Sequence, residues 1–276
     1  MRTRCRPMLG TFVEITVPAD AAAAMEAGFR AIGRVQRLMS FHDEASDLGR
    51  LRRAAPGATV EVAPETAEVL QLALDLHRDS GGLFDVTVAG ELVRTGFLPR
   101  PRSPSRKARP IGNASDIAMA GPRHVRCLQP SLIDLGGIAK GYAVDQAVEA
   151  IRAAGVTRGL VNAGGDLRMF GGAPWPIALR DADGELRETL WLADCAVASS
   201  ANLRNRRRRW GRLRTPHIGF GRRPMASTRR TTVVASSCVI ADAMTKIAMA
   251  DRALAERLLA RHAGYLIGQA CAGVAA

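Results

Sequence analysis

The chain has 276 residues, of which 47% are hydrophobic and 4% aromatic, and its net charge of +13 accompanies enough apolar residues for a mostly aliphatic core. It has no run of about eighteen or more apolar residues, no apolar segment behind its basic N-terminus and no Cys-x-x-Cys pair among its five cysteines. These features argue against a membrane span, a secretory signal, disulfides and zinc, so we expect a cytoplasmic protein, or a periplasmic one if its N-terminus is truncated.

The first half of the sequence alternates between strand and helix patterns. Residues 12–17 alternate apolar and polar side chains, as a half-buried strand does. Helices are predicted at 19–39 and at 64–78, the second with Pro64 in its first turn. Short strands are predicted at 84–88, 115–119, 124–128 and 132–135.

The second half mixes the same two kinds of element. A helix is predicted at 138–153, where Gly155 stops it, and one long helix is predicted at 239–261. Strands are predicted at 160–162, 175–179, 190–192, 196–198, 231–235 and 265–267. Because strands and helices follow no strict βαβ alternation, the pattern favours an α+β fold, which we expect to form a single domain over residues 5–270.

The positive charge is concentrated in two arginine-rich stretches, near 94–110 and 202–230. Both lack apolar periodicity and contain Pro or Gly, so we expect basic surface loops. Solvated loops and contacts with phosphate groups of a ligand or of nucleic acid both remain open at this point. No recognition-helix, zinc-finger or RNP-like pattern is present, so no sequence-specific nucleic acid partner is expected.

The most informative motif runs from Asp134 to Asp145. Its spacing, Asp-x-Gly-Gly-x-x-Lys-Gly, places two glycines before a predicted helix and Lys140 in the first helical turn. A helix N-terminus with an added lysine charge suits an anionic ligand, and Asp134 can accept hydrogen bonds from a ribose or a flavin ring edge. The spacing is not that of a Walker A loop. A Gly-Gly turn alone is also typical of a purely structural turn.

Two further motifs carry polar residues. Residues 162–166 read Asn-Ala-Gly-Gly-Asp, which equally suits a hairpin turn. Asp242 and Thr245 are three residues apart in the last helix, so their hard oxygen atoms share one face and suit Mg²⁺. The alternative for Asp242 is a helix N-cap without a metal.

Taken in order, five segments resemble the FAD:protein FMN transferase family, also called the ApbE family, from Pro7 to about Ala250. The segments are 9–12, 81–88, 134–145, 162–166 and 241–245. The resemblance implies a T-fold-like, two-layer α+β architecture. It also implies a Mg²⁺-dependent enzyme that transfers FMN from FAD, through its phosphate, to a threonine of an acceptor protein and releases AMP.

The resemblance also implies roles for individual residues. FAD contacts are expected from Leu9, Leu83, Phe84, Asp85, Asp134 and Lys140. Mg²⁺ ligands are expected from the Gly137 carbonyl, Asp242 and Thr245. His217 is the candidate for direct chemical participation.

Several positions depart from the family pattern. Leu9 stands where the family usually has Met. The family's metal-binding Thr is often four residues after its Asp, whereas here Thr245 is third and Lys246 takes the fourth place. The Asp-Pro that usually follows the family's histidine is missing after His217. Three alternatives to flavin transfer therefore stay open: hydrolysis of FAD to FMN and AMP, non-catalytic flavin binding, and non-specific nucleic acid binding through the arginine stretches.

Overall fold

The computed structural model describes residues 1–101, 112–181, 184–201, 207–209, 212–225 and 230–268. Its helices are α1 (Ala22–Leu38), α2 (Asp47–Arg53), α3 (Pro64–Asp79), α4 (Ala89–Thr95), α5 (Ala139–Ala153), α6 (Cys238–Ala250) and α7 (Arg252–Leu259). Its strands are β1 (Arg2–Met8), β2 (Thr11–Val17), β3 (Thr59–Glu61), β4 (Ile117–Gly121), β5 (His124–Cys127), β6 (Gly159–Ala163), β7 (Asp166–Phe170), β8 (Trp175–Arg180), β9 (Leu186–Leu192), β10 (Ala196–Ser200), β11 (Arg207–Arg209), β12 (Arg212–Arg214), β13 (Ile218–Gly219), β14 (Arg223–Pro224), β15 (Thr231–Ala235) and β16 (Tyr265–Leu266).

An antiparallel seven-stranded sheet organises the fold, in the order β1-β2-β6-β7-β10-β15-β16. Helices α1, α5 and α6 cover one face, and the β8–β9 hairpin packs against the other. The two faces are visible in β7, where Leu167 and Met169 join the hairpin side while Phe170 joins the helix side. The helix layer on the sheet confirms the two-layer α+β architecture expected from the sequence.

Smaller elements extend this framework. A three-stranded sheet, β3-β5-β4, lies beside α2 and α3. The arginine-rich stretch 202–230 was expected to be a loop, but its described part contains the strand pairs β11–β12 and β13–β14. Residues 102–111 of the other arginine-rich stretch, like 202–206, 210–211 and 226–229, lie outside the described residues. Across the described helices, none is both long and apolar enough to cross a membrane.

Three sequence predictions were wrong, two of them because one side chain overrides the local pattern. The apolar run 84–88 is a turn, because the carboxylate of Asp85 accepts hydrogen bonds from the Thr87 amide at 2.7 Å and the Thr87 hydroxyl at 2.6 Å. No strand forms at 132–135. The long helix 239–261 is interrupted at Asp251, which has extended backbone and whose side chain caps α7 by accepting from the Leu254 amide.

Helices α5 and α6 cross at very close range, and two residues of the 134–145 motif, Gly141 and Asp145, make the crossing possible. A Cβ at Gly141 would overlap the carbonyl oxygen of Cys238 and lie 2.8 Å from the Asp242 Cβ. One turn later, Asp145 accepts hydrogen bonds from the amides of Cys238 and Val239 at 2.9 and 2.8 Å. An α5 carboxylate therefore caps the N-terminus of α6, which is almost entirely buried.

Replacement of Asp145 by alanine is expected to lower the free energy of unfolding by about 3 kcal/mol, because one buried amide, one partly buried amide and a largely buried ion pair lose their partner together. The ion pair joins Asp145 to Arg168 at 3.0 Å. Glu149→Ala is the matched control, since Glu149 also pairs with Arg168 but is 54% exposed and caps nothing. Urea denaturation should show a loss for the control of at most about 0.5 kcal/mol, and equal losses in the two variants would contradict the capping role.

Candidate functional site

A cleft of about 520 Å³ opens where the residues around α4, the start of α5, the end of β10 and α6 meet. Seven of the ten predicted site residues line it: Leu83, Phe84, Asp85, Asp134, Gly137, Lys140 and His217. Asp242 and Thr245 are fully buried directly behind the cleft-lining Lys246. Leu9 does not line the cleft, so its contact with FAD stays a prediction.

Part of the cleft lining is apolar. It consists of side chains that follow one another along the chain: Leu83, Phe84, Val86, Val88, Leu92, Phe97 and Leu98. The segment is held by the turn at 80–87, in which the Ser80 hydroxyl accepts from the Phe84 amide and His77 bonds the Phe84 carbonyl. Such a surface suits a flat aromatic ligand, because burying apolar area favours binding without requiring fixed polar partners.

The polar part of the site contains two ammonium groups and two carboxylates in alternation. Lys140 forms an ion pair with Asp166 and lies 3.6 Å from Asp242, whose other oxygen is 2.6 Å from the ammonium of Lys246. Burial disfavours the charged form of Lys140, but the carboxylates outweigh it and raise its pKa. Burial also works against the charged form of Asp242, yet Lys140 and Lys246 hold the pKa of that carboxyl below its usual range.

The three predicted Mg²⁺ ligands surround Lys246. Its ammonium contacts Asp242 Oδ1 at 2.6 Å and Thr245 Oγ1 at 2.9 Å, and its aliphatic stem passes Gly137, where a Cβ would lie 3.5 Å from Lys246 Cγ. The second carboxylate oxygen of Asp242 accepts from the Gly141 amide at 3.1 Å. A metal ion on these oxygens would have to displace an ammonium group, so the donor set as it stands does not fit Mg²⁺. Asp242 is also not an N-cap, because α6 begins four residues earlier.

His217 enters the cleft from the segment that precedes β13. Its ring is largely buried, and Nδ1 has no hydrogen-bond partner among the residues that the structure describes. Burial, reinforced by the positive charges of Lys246 and Lys140, lowers the pKa of His217 to about 4. The imidazole is therefore neutral at physiological pH and has a ring nitrogen available to accept a proton.

Comparisons with known proteins identify the family of this chain. The family model described as the ApbE family matches residues 9–266. The chain belongs to the ApbE family.

Individual ApbE-family relatives show how far the similarity extends. The FAD:protein FMN transferase of Vibrio cholerae serotype O1 is 26% identical over 260 residues, which cover 86% of this chain and 78% of that protein. The protein of the same name from Rhodobacter capsulatus is 35% identical over 195 residues, which cover 63% of this chain but only 36% of that protein.

Solved structures of the ApbE family have the same fold. The ApbE protein of Thermotoga maritima matches with a TM-score of 0.83 and 26% identity, over 96% of this chain and 93% of that one. The flavin transferase ApbE from Vibrio cholerae matches with a TM-score of 0.78 and 25% identity, over 93% of this chain and 90% of that one. The architecture described above is therefore ApbE-like.

Several predicted residues of this ApbE-family cleft already have protein partners. The Asp85 carboxylate accepts hydrogen bonds from Thr87 and, at 3.3 Å, from Arg222. It therefore links the turn at 80–87 to the segment 217–222, which carries His217. Burial raises the pKa of Asp134, although a hydrogen bond from the Gly136 amide opposes the shift. Leu9 forms the turn between β1 and β2 with a positive φ of 55°.

The structure adds residues to which the sequence analysis gave no role. Asp166 ends the 162–166 motif and binds Lys140, while the motif itself forms the hairpin between β6 and β7. Gly164 in that hairpin faces Thr11 so closely that a Cβ would collide with the threonine side chain. Ser200 and Lys246 also line the polar part of the cleft and are hydrogen-bonded to each other. Spacing could have indicated Lys246, since it stands four residues after Asp242, but nothing in the sequence pairs Lys140 with Asp166 or Ser200 with Thr245.

In the protein without FAD, the His217 ring is expected to titrate near pH 4. NMR detection of the imidazole carbons across pH 3 to about 8 would measure this, given a usual histidine pKa of about 6.5. The His217→Gln variant identifies the resonance by its absence and serves as the control. A midpoint near the usual value would mean that the imidazole is solvated and partly charged near neutrality, contrary to the burial described here.

Proposed function

We propose that this ApbE-family protein transfers FMN from FAD to a hydroxyl group of an acceptor protein and releases AMP. The observation that carries the proposal is that one cleft is lined both by an apolar group of side chains and by two ammonium groups. FAD has the matching division, with a flat isoalloxazine ring and a doubly negative pyrophosphate. The relatives named FAD:protein FMN transferase support the same activity.

The proposed reaction is a phosphoryl-type transfer that balances without a redox step. The acceptor hydroxyl oxygen bonds to the FMN-side phosphorus, the bond from that phosphorus to the bridging oxygen breaks, and AMP leaves with that oxygen. The hydroxyl proton passes to a base. The family resemblance makes a threonine the acceptor residue, and water in its place would give free FMN and AMP.

Two residues of the cleft suit defined parts of this reaction. Lys140 lies in the first turn of α5, where its charge adds to the partial positive charge of the helix N-terminus and favours bound phosphate. Among the described residues, His217 is the one histidine near the ammonium groups of the cleft lining, and we assign it the role of proton acceptor for the attacking hydroxyl. The negative charge of a bound pyrophosphate would raise its low pKa toward the range in which a base is effective. Positioning and neutralisation of phosphate charge account for most of the catalysis in reactions of this kind.

The resemblance implies Mg²⁺ on Gly137, Asp242 and Thr245, and that dependence remains a prediction to be tested. For the ion to bind there, Asp242 and Thr245 would first have to release Lys246. No part of the reaction described above is routed through a metal.

The activity is tested by incubating the protein with FAD and candidate threonine-bearing proteins, followed by mass spectrometry of the acceptor and chromatography of the nucleotides. An adduct of FMN less one water on a threonine, with one AMP released, is the expected result. Free FMN and AMP without an adduct would favour FAD hydrolysis, and bound, intact FAD would favour a flavin-binding protein.

The binding site is tested with Lys140→Met, which should weaken FAD binding by about ten- to a hundredfold, since a charge-assisted contact to phosphate is lost. Arg152→Met is the matched control, because Arg152 is a cation in the last turn of the same helix, away from the cleft. Quenching of flavin fluorescence measures both affinities. Equal affinity in the wild-type protein and a folded Lys140→Met variant would remove Lys140 from the site.

A further inference from the structure

Lys246 is held in a shell of oxygen atoms at the base of the cleft. Its ammonium nitrogen lies 2.6 Å from Asp242 Oδ1, 2.9 Å from Thr245 Oγ1, 3.0 Å from Ser200 Oγ and 3.2 Å from the Asp242 carbonyl oxygen. The oxygens come from two different elements, since Ser200 ends β10 and the others lie in α6. The side chain is only 19% exposed, yet it lines the cleft.

The position of this ammonium follows directly from the sequence. Residues four apart in a helix lie on one face, so a lysine four residues after Asp242 reaches back onto that carboxylate. Ser200 and Thr245 are hydrogen-bonded to each other at 2.8 Å, which fixes both hydroxyl groups beside the nitrogen. In the family pattern this place is often taken by the metal-binding threonine. One change of residue type has therefore put a charged side chain among the expected ligands of a metal.

We propose that the ammonium group of Lys246 replaces the divalent cation, so that this chain binds and polarises the FAD pyrophosphate with a positive charge of its own. The inference rests on the proposed function for its ligand. Lysine carries three N–H donors on a compact charge. A phosphate oxygen would take one of these donors from a neutral hydroxyl acceptor, Ser200 or Thr245, while Asp242 keeps the ammonium in place. Mg²⁺ requires about six oxygen ligands near 2.1 Å, and the oxygens of Asp242 and Thr245 are already committed to Lys246.

The charges of the cluster support the replacement. Asp166 and Asp242 face Lys140 and Lys246, so two negative groups meet two positive ones. A neutral threonine at 246 would leave one net negative charge beside the place where pyrophosphate must bind. The cluster would then need an added cation, whereas the wild-type cluster does not.

The test compares the wild-type protein with Lys246→Thr, which restores the Asp–Thr spacing of four, and with Lys246→Met, which keeps the length of the side chain without its charge. FAD affinity is measured by fluorescence quenching in EDTA and in Mg²⁺. Mn²⁺ binding, with and without FAD, is measured by electron paramagnetic resonance. The wild-type affinity for FAD should change less than about twofold between EDTA and Mg²⁺, which corresponds to about 0.4 kcal/mol.

The Lys246→Thr variant should bind FAD about tenfold more weakly than the wild-type protein in EDTA, regain that affinity in Mg²⁺, and bind Mn²⁺. The Lys246→Met variant should bind FAD weakly in both EDTA and Mg²⁺. A wild-type protein that needs Mg²⁺ to bind FAD, or that binds Mn²⁺ as Lys246→Thr does, would overturn the inference and leave the proposed function standing. Equal behaviour of Lys246→Thr and wild type would also overturn it. A wild-type protein that binds no FAD would instead overturn the proposed function, and the Mn²⁺ comparison would still decide the nature of the cation site. If Lys246→Thr fails to fold, the wild-type arms alone decide.

Discussion

Flavin transfer is expected to fall by about a hundredfold or more in Asp242→Asn, because the group that positions both cations of the cleft loses its charge. Lys246 loses its shortest contact and Lys140 loses one of its two carboxylates. The same change should lower the free energy of unfolding by about 3 kcal/mol, the lower end of the range for breaking a buried ion pair. The lower end applies because the two lysine side chains are 19% and 31% exposed.

The matched control for this prediction is Asp47→Asn. Asp47 is also a buried helical carboxylate; it pairs with Arg50 and accepts from the Ala63 amide, but neither of these partners lines the cleft, whereas both lysine partners of Asp242 do. Thermal unfolding and single-turnover transfer of FMN should separate the two variants, with stability reduced in both and transfer lost only in Asp242→Asn. Wild-type transfer in a folded Asp242→Asn protein would show that the charge cluster has no part in the reaction.

Gly141→Ala is expected to destabilise the protein by about 3 kcal/mol, although alanine is the better helix former by about 1 kcal/mol. The added Cβ meets backbone atoms of Cys238, which cannot rotate away, so α5 and α6 must separate. The separation also breaks the hydrogen bond from the Gly141 amide to Asp242. We therefore expect weaker FAD binding together with the loss of stability.

A second helical glycine provides the comparison. Gly33 lies in α1, where an added Cβ would meet Met8 Cε at 3.4 Å and Arg37 Nη1 at 3.6 Å, both at the ends of flexible side chains. Gly33→Ala should be neutral or stabilising by up to about 1 kcal/mol. Urea denaturation and FAD titration of the two variants measure the difference, and a neutral Gly141→Ala would show that the helices can move apart without cost.

Local signals in the sequence predicted most of the framework. Pro64 marks the first turn of α3, and the strand at 12–17 and the helix at 138–153 form close to their predicted bounds. The signals failed where one side chain overrides the pattern of its neighbours. Asp85 folds an apolar, β-rich run into a turn, and Asp251 starts a new helix without a glycine or proline to mark the break.

Seven of the ten predicted site residues line the cleft, but the sequence did not predict how the charges are arranged. The 134–145 motif and the family resemblance indicated Lys140 and Asp242, and the structure brings both to one cluster. The partner of Lys140, Asp166, comes from a hairpin 26 residues later, and such pairs depend on which strand lies next to which helix. For the same reason, the sequence suggested an Asp–Thr metal pair where the fold places an ammonium group between the two side chains.

The burial of α6 has a consequence for the dynamics of the cleft. Nine of the thirteen residues of this helix are buried, and its N-terminus is tied to Asp145, so the amides of its buried part should exchange with deuterium only on global unfolding. The opposite wall rests on β13 and β14, which have two residues each and one short pairing. Amides there should exchange through local opening. FAD should therefore slow deuterium uptake around His217 while leaving the uptake of α6 unchanged. The wall formed by α6 would then be the rigid part of the cleft, and the wall formed by β13 and β14 the part that adapts to the ligand.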